Sequence, residues 1–161
     1  MSISQNDPSQ MYTYADYLTW PEGERWEIID GVAYMQAAPT WQHQAIAGDI
    51  FAQFYDFLKD KPCRVFTAPF DVCISKDNES DEEISSPSTA RRDKLIKFNQ
   101  FEMAGLGEYW IVEPENKLVN VFVLQENKRY GRPDIYSDED QIKVITFPDL
   151  IIDLKSVFAN L

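Results

Sequence analysis

The chain has 161 residues, 44% of them hydrophobic and 14% aromatic, which is enough apolar surface for one packed core and too much for a disordered polypeptide. With 15 basic and 27 acidic side chains its formal charge is −12, which excludes broad, non-specific coating of nucleic-acid backbones. No apolar stretch reaches the ~18 residues of a membrane span, the start of the chain lacks a basic-then-apolar leader, two cysteines cannot frame a disulfide scaffold, and a single histidine excludes two-imidazole zinc motifs, so a soluble protein of the reducing cytoplasm is expected.

Residues 1–10 are polar and read as a flexible tail, followed by one domain over 11–161. Thr13 with Asp16 three residues later has the pattern of a capping box, opening a short helix that reaches Leu18 and stops before Pro21. Residues 25–29 and 32–35 flank Asp30-Gly31, the dipeptide that favours a type I′ hairpin because both central positions need positive φ. Thr40 opens a long helix in which Ile46, Ile50, Phe54, Phe57 and Leu58 recur every three or four residues, and Pro62 closes it. Residues 64–67 and 70–74 read as strands on either side of Ala68-Pro69, with Cys63 and Cys73 as small core residues.

An acidic run, KDNESDEE over 76–83, sums to −4, and in the following EISSPST the proline Pro87 forbids a regular ladder. Helix resumes over 90–104, with Leu95, Phe98, Phe101 and Glu102 on adjoining turns and Gly105 just past its end. Residues 108–112 and 118–124 are the clearest strands, joined by Glu113-Pro114-Glu115-Asn116. A weaker strand over 141–147, an extended 150–154 and a short terminal helix over 155–160 complete the chain. Strands in the middle and at the end, with two long helices between, give a mixed α/β, or α+β, class.

Several chemistries lack a frame. No serine stands two or three residues from His43 and there is no GxSxG elbow, which removes Ser-His-Asp catalysis. Six unclustered glycines cannot cradle phosphates. His43 then reads as a partly buried hydrogen-bonding residue in the first turn of its helix. What remains is carboxylates with a lysine: Glu27 in the first strand, Asp71 in a middle strand, Glu83 closing the acidic run and Lys97 on the next helix. Hard cations bind through carboxylate oxygens, waters and substrate phosphate, and a neighbouring lysine offsets charge on an attacking or leaving oxygen. Residues 90–97, ARRDKLIK, sum to +3, so an acidic cluster is followed at once by a basic one. That arrangement fits a metal site beside a phosphate clamp, or, as the plainer alternative, a solvated loop and a solvated helix face.

The stretches YTYADYL (12–18), RWEIIDG (25–31), PTWQHQ (39–44), APFDV (68–72), EISSPST (83–89) with Asp93 and Lys97 after it, and EYWIV (108–112) occur in this order. On them the chain resembles the Uma-type putative restriction endonucleases, a branch of the PD-(D/E)XK nuclease superfamily. The resemblance implies a restriction-endonuclease-like central mixed β-sheet flanked by helices, with an N-terminal hairpin. It also implies hydrolysis of DNA phosphodiester bonds with Mg²⁺, or Mn²⁺ in its place. Glu83 matches the metal-binding glutamate before the SPST loop. Ser85 stands where the simple pattern has lysine, and Lys97 matches the lysine carried instead by the next helix. Glu27 matches a hairpin glutamate that supports the metal site, and His43 and Gln44 match a His-Gln pair lining the cleft. Arg91, Arg92 and Lys94 are placed to meet the DNA backbone.

One departure stands out. The family carries a Pro-Asp strand before the glutamate strand, and its aspartate is the primary metal ligand. Here only CISKDNESDE separates Val72 from Glu83, so either the aspartate is lost or a segment between 73 and 83 is omitted. Asp81, on the same face as Glu83 in an extended chain, is the substitute ligand. Without a cation Asp81, Glu82 and Glu83 repel one another, whereas the helix bearing Lys97 needs no metal to form. Two functions follow: a Mg²⁺-dependent endodeoxyribonuclease, and a catalytically impaired nuclease-fold protein acting as a binding or regulatory module, with homodimers formed through the strand-rich end.

Overall fold

The computed structural model describes residues 10–21, 23–68, 72, 90–159 and 161, and of residues 90–94 the backbone alone. The described residues fall into two compact units that divide between Thr40 and Trp41.

In the first unit, α1 (Tyr14–Tyr17) is a single turn opened by the capping box that the sequence predicts. The Asp16 amide donates to the Thr13 hydroxyl at 3.3 Å, and the Asp16 carboxylate accepts from the Thr13 amide at 2.7 Å. That backbone bond, then the one from the Thr13 hydroxyl, holds the Asp16 carboxyl below the usual carboxylate range. The strands β1 (Trp26–Ile29) and β2 (Val32–Met35) pair antiparallel with Ile29 opposite Val32. Asp30 and Gly31 form the turn between them, with φ of 50° and 77°, as a type I′ hairpin demands. Trp20 ties the unit together through edge contacts to Tyr12, Tyr17 and Trp26, with ring centroids 5.3, 5.6 and 5.7 Å away.

The second unit is built on α2 (Trp41–Leu58), α3 (Ala90–Met103), β3 (Glu108–Glu113), β4 (Leu118–Val123), β5 (Asp134–Ser137), β6 (Gln141–Lys143), β7 (Ile151–Asp153) and α4 (Leu154–Val157). The β3-β4-β5 sheet is antiparallel throughout, and its register sorts the side chains by face. Trp110 and Val112 share one face with Val121 and Val119, their ladder partners. That face packs on α2, where Phe54 meets Trp110 and Ile46 and Ile50 join the same core. Tyr109 and its partner Phe122 point to the opposite face, where Phe101 and Phe98 of α3 cover them. Two helices thus cover opposite faces of one sheet, the layering that the resemblance implies.

β6, β7 and α4 close the core with Ile142, Ile152, Leu154, Val157 and Phe158, each fully buried or nearly so. Gln53 of α2 joins them by a two-way bond, donating to the Asp153 carbonyl at 3.2 Å and accepting from the Asp153 amide at 2.8 Å. Burying each such aliphatic side chain stabilises the fold by roughly 1.5–3 kcal/mol.

The structure corrects several expectations. Residues 64–67 join no ladder among the described residues, and of 70–74 only Val72 is described. Cys63 is exposed rather than a core residue, and Cys73 lies outside the described residues. The expected strand over 141–147 ends at Lys143: the Val144 amide still bonds in register to the Leu150 carbonyl at 3.0 Å, but the Leu150 amide turns to the Phe147 carbonyl at 2.8 Å and closes a tight connection. β5 was not foreseen: four residues between Pro133 and an acidic turn carry little pattern, and their pairing is supplied by β4. α2 stops two residues before Asp60, whose φ of 65° turns the chain before Pro62 is reached. All described ladders are antiparallel.

Candidate functional site

α3 brings together most of the expected cationic residues. Its backbone places Arg91, Arg92 and Lys94 in the opening turns, where the helix dipole favours anions, while their side chains lie outside the described residues. Lys97 follows on the same helix and is half-buried. Leu95, expected on the face turned to the sheet, is 59% exposed, while Phe98, Phe101 and Glu102 reach inward. α3 ends as expected, in a Schellman motif: Gly105 has φ of 75°, its amide donates to the Glu102 carbonyl, and the Leu106 amide donates to the Phe101 carbonyl.

Glu102, a core-facing residue of α3 that the sequence does not mark as a site residue, is held by the β4–β5 connection. It is 6% exposed and lies among rings. One carboxylate oxygen accepts from the Tyr130 amide at 2.6 Å and the other from Arg129 Nη1 at 2.7 Å. The Tyr130 amide and then Arg129 hold its carboxyl below the usual range, against the opposing effect of burial. The Tyr130 hydroxyl donates to the Leu106 carbonyl at 2.8 Å, and burial, reinforced by Glu102 and Tyr109, pushes the phenol up to about 12. The signal available in the sequence was a carboxylate four residues after Phe98 on the ring-bearing face, where a solvated acid has no place.

The other expected residues divide as follows. Glu27 sits on β1 opposite Tyr34, half-buried, and accepts from Gln36 Nε2 at 3.3 Å. His43 and Gln44 occupy the first turn of α2 and are exposed, so His43 is not the partly buried residue that its place on the helix suggests. Asp81 and Glu83 lie outside the described residues. Among the described residues no group of three or more histidine, cysteine, aspartate or glutamate side chains converges in a way that could hold a metal. The one described carboxylate of the expected set, Glu27, already accepts a side-chain amide, and on its own it does not make a Mg²⁺ centre.

An open pocket of about 280 Å³ is lined by Phe54, Glu108, Tyr109, Trp110, Val144, Thr146 and Phe147. None of the sequence-nominated residues lines it. Both Glu108 oxygens are engaged, one by Trp110 Nε1 at 2.8 Å and the other by the Ile145 amide at 3.0 Å. Those two bonds tie the carboxylate to the rim of the pocket.

No described helix is long and apolar enough to cross a membrane. No curated protein matches the chain. The family model Uma2, described as putative restriction endonuclease, matches residues 14–81 and 83–155. The two matched segments take in both long helices, α2 and α3, both hairpin strands, and the Glu83 to Lys97 series. The mixed α/β architecture, with helices on both faces of an antiparallel sheet, is consistent with a restriction-endonuclease-like fold. The chain belongs to the Uma2 family of putative restriction endonucleases.

Proposed function

We propose that this protein is a cytoplasmic endodeoxyribonuclease that hydrolyses DNA phosphodiester bonds with Mg²⁺, or with Mn²⁺ in its place. The observation that carries the reading is the family match, which spans both sides of the Glu83 to Lys97 series. The formation of α3 around Lys97 supports it. In this reading Glu83 and Asp81 hold the ion, and Glu27 supports them. A bound Mg²⁺ supplies Lewis acidity to the phosphoryl oxygens. Lys97 orients water at the phosphorus and offsets negative charge as the ester P–O bond breaks. Arg91, Arg92 and Lys94 clamp the backbone, and His43 and Gln44 lie along its path.

A second reading is favoured by one specific observation. The family match divides at residue 82, beside the place where the sequence lacks the Pro-Asp strand. A chain without that aspartate would bind DNA or a protein partner, as a monomer or a homodimer, and would not cut.

Supercoiled plasmid incubated with the full chain and Mg²⁺ or Mn²⁺ separates the two. Nicking that a chelator abolishes supports the nuclease. DNA binding without nicking at any metal concentration supports the binding module. In either case affinity should fall steeply with salt, because neutralised phosphates release counterions. Salt-independent binding would remove the basic clamp from the account.

A further inference from the structure

α3 meets its sheet through rings. Phe98 lies 4.9 Å from Phe122 and 5.0 Å from Tyr130 between centroids, and Phe101 lies 5.3 Å from Tyr109. Ring contacts prefer edge or offset arrangements but tolerate a wide range of angles and distances, so they fix a helix's rotation and axial position less sharply than hydrogen bonds do. Directional bonds fix both more sharply, and Glu102 brings two of them to the C-terminal end of α3. Glu102 accepts from the Tyr130 amide and from Arg129, while the Tyr130 hydroxyl reaches the Leu106 carbonyl just past the helix end. A single residue of the β4–β5 connection thus grips the C-terminal end of α3 through both its backbone and its side chain.

We propose that Glu102 is a positioning residue, whose bonds to the Tyr130 amide and Arg129 set the register of α3 and thereby the location of the Lys97 ammonium. The proposal rests on the nuclease reading for its catalytic consequence and on geometry alone for the placement itself. Five residues separate Lys97 from Glu102, about 7.5 Å along a helix axis. With side-chain tips some 5–6 Å from the axis, a rotation of about 20° moves the tip of Lys97 by roughly 2 Å. A misplacement of about 1 Å is enough to lower a rate on the order of a hundredfold.

The test compares the full-length wild type with Glu102→Gln and Arg129→Gln. Glu102→Gln keeps the shape but turns an amide donor toward Arg129. Arg129→Gln removes the cation from a side chain that is 72% exposed, so the fold should survive it. Three quantities are read: hydrogen exchange of the α3 amides, the rate at which an amine-reactive ester acylates Lys97, and kcat and KM for plasmid nicking with Mn²⁺. Both variants should change exchange in α3 and Lys97 acylation while leaving the β6–β7 amides protected. Both should lower kcat, by on the order of 10- to 100-fold for Glu102→Gln, with KM unchanged. Arg129→Lys, which keeps a cation in reach, should recover most of kcat.

If Glu102→Gln fails to fold, Arg129→Gln carries the comparison. Unchanged Lys97 acylation in a folded variant would overturn the proposal. So would a uniform rise in exchange across both sheets with kcat and KM lost together, because that marks a general structural role. A wild type that does not nick DNA would sink the nuclease reading, and acylation and exchange would still decide whether Glu102 places Lys97.

Discussion

Replacing Phe98 by leucine tests how α3 is held. Phe98 is half-buried and meets three rings, Tyr109, Phe122 and Tyr130, with centroids 6.1, 4.9 and 5.0 Å away and interplanar angles of 72°, 77° and 55°. Each favourable ring pair contributes about 0.5–1.5 kcal/mol beyond area burial. The three share one ring, that ring is half exposed, and leucine keeps part of the aliphatic contact. The loss should therefore be about 2 kcal/mol, below the ~3–5 kcal/mol of a full Phe→Ala truncation in a closed core. With a urea dependence of ~2 kcal/mol per molar, within the usual range for small proteins, the unfolding midpoint should drop by about 1 M. Leu95→Ala on the same helix is the control, since Leu95 is exposed and its change should stay within about 0.5 kcal/mol. Equilibrium urea unfolding followed by tyrosine and tryptophan fluorescence reads both. A midpoint shift under about 0.3 M for Phe98→Leu would refute the ring-held helix.

Two further outcomes follow from named contacts. Gly31→Ala should destabilise the first unit by about 1–2 kcal/mol, because φ of 77° is left-handed, while the added Cβ meets only the tip of the exposed Met11 side chain, which can swing aside; a thermal melt equal to wild type would contradict this. The folded pKa of Glu102 lies below its unfolded value, so its bonds contribute fully above the ordinary carboxylate range and are lost as pH falls through the depressed folded value. Protection of the α3 amides, with exchange taken relative to each amide's intrinsic rate at the same pH, should accordingly fall on acidification in the wild type and much less in Glu102→Gln, and an equal pH response in both would rule out Glu102 as the source.

What the sequence revealed was local. Asp30-Gly31, the Thr13–Asp16 capping box and the Gly105 stop each encode their geometry within four residues, and all three took the expected form. The hydrophobic spacing in α2 likewise announced the face that packs on the sheet. What stayed hidden depends on partners far along the chain. β5 exists because β4 offers it a ladder, and its own four residues carry no alternation that would announce it. Glu102 stood in plain view beside Phe98 and Phe101, yet its importance comes from Tyr130 and Arg129, which are 28 and 27 residues away. His43 and Cys63 went wrong for the same reason. Residue type suggested burial, and exposure is decided by what the rest of the fold leaves uncovered. Of the candidate site, the helix of Lys97 was legible, whereas Asp81 and Glu83 lie outside the described residues.

The most direct measurement of the central claim is the single-turnover rate of supercoiled DNA nicking with saturating Mn²⁺, for the wild type and for Lys97→Ala side by side. The account predicts metal-dependent nicking by the wild type and a rate on the order of 10²–10³ lower for Lys97→Ala, the usual loss when one charge-stabilising donor is removed from a reacting centre. Equal rates for the two proteins, or no nicking by the wild type with either ion, would contradict it.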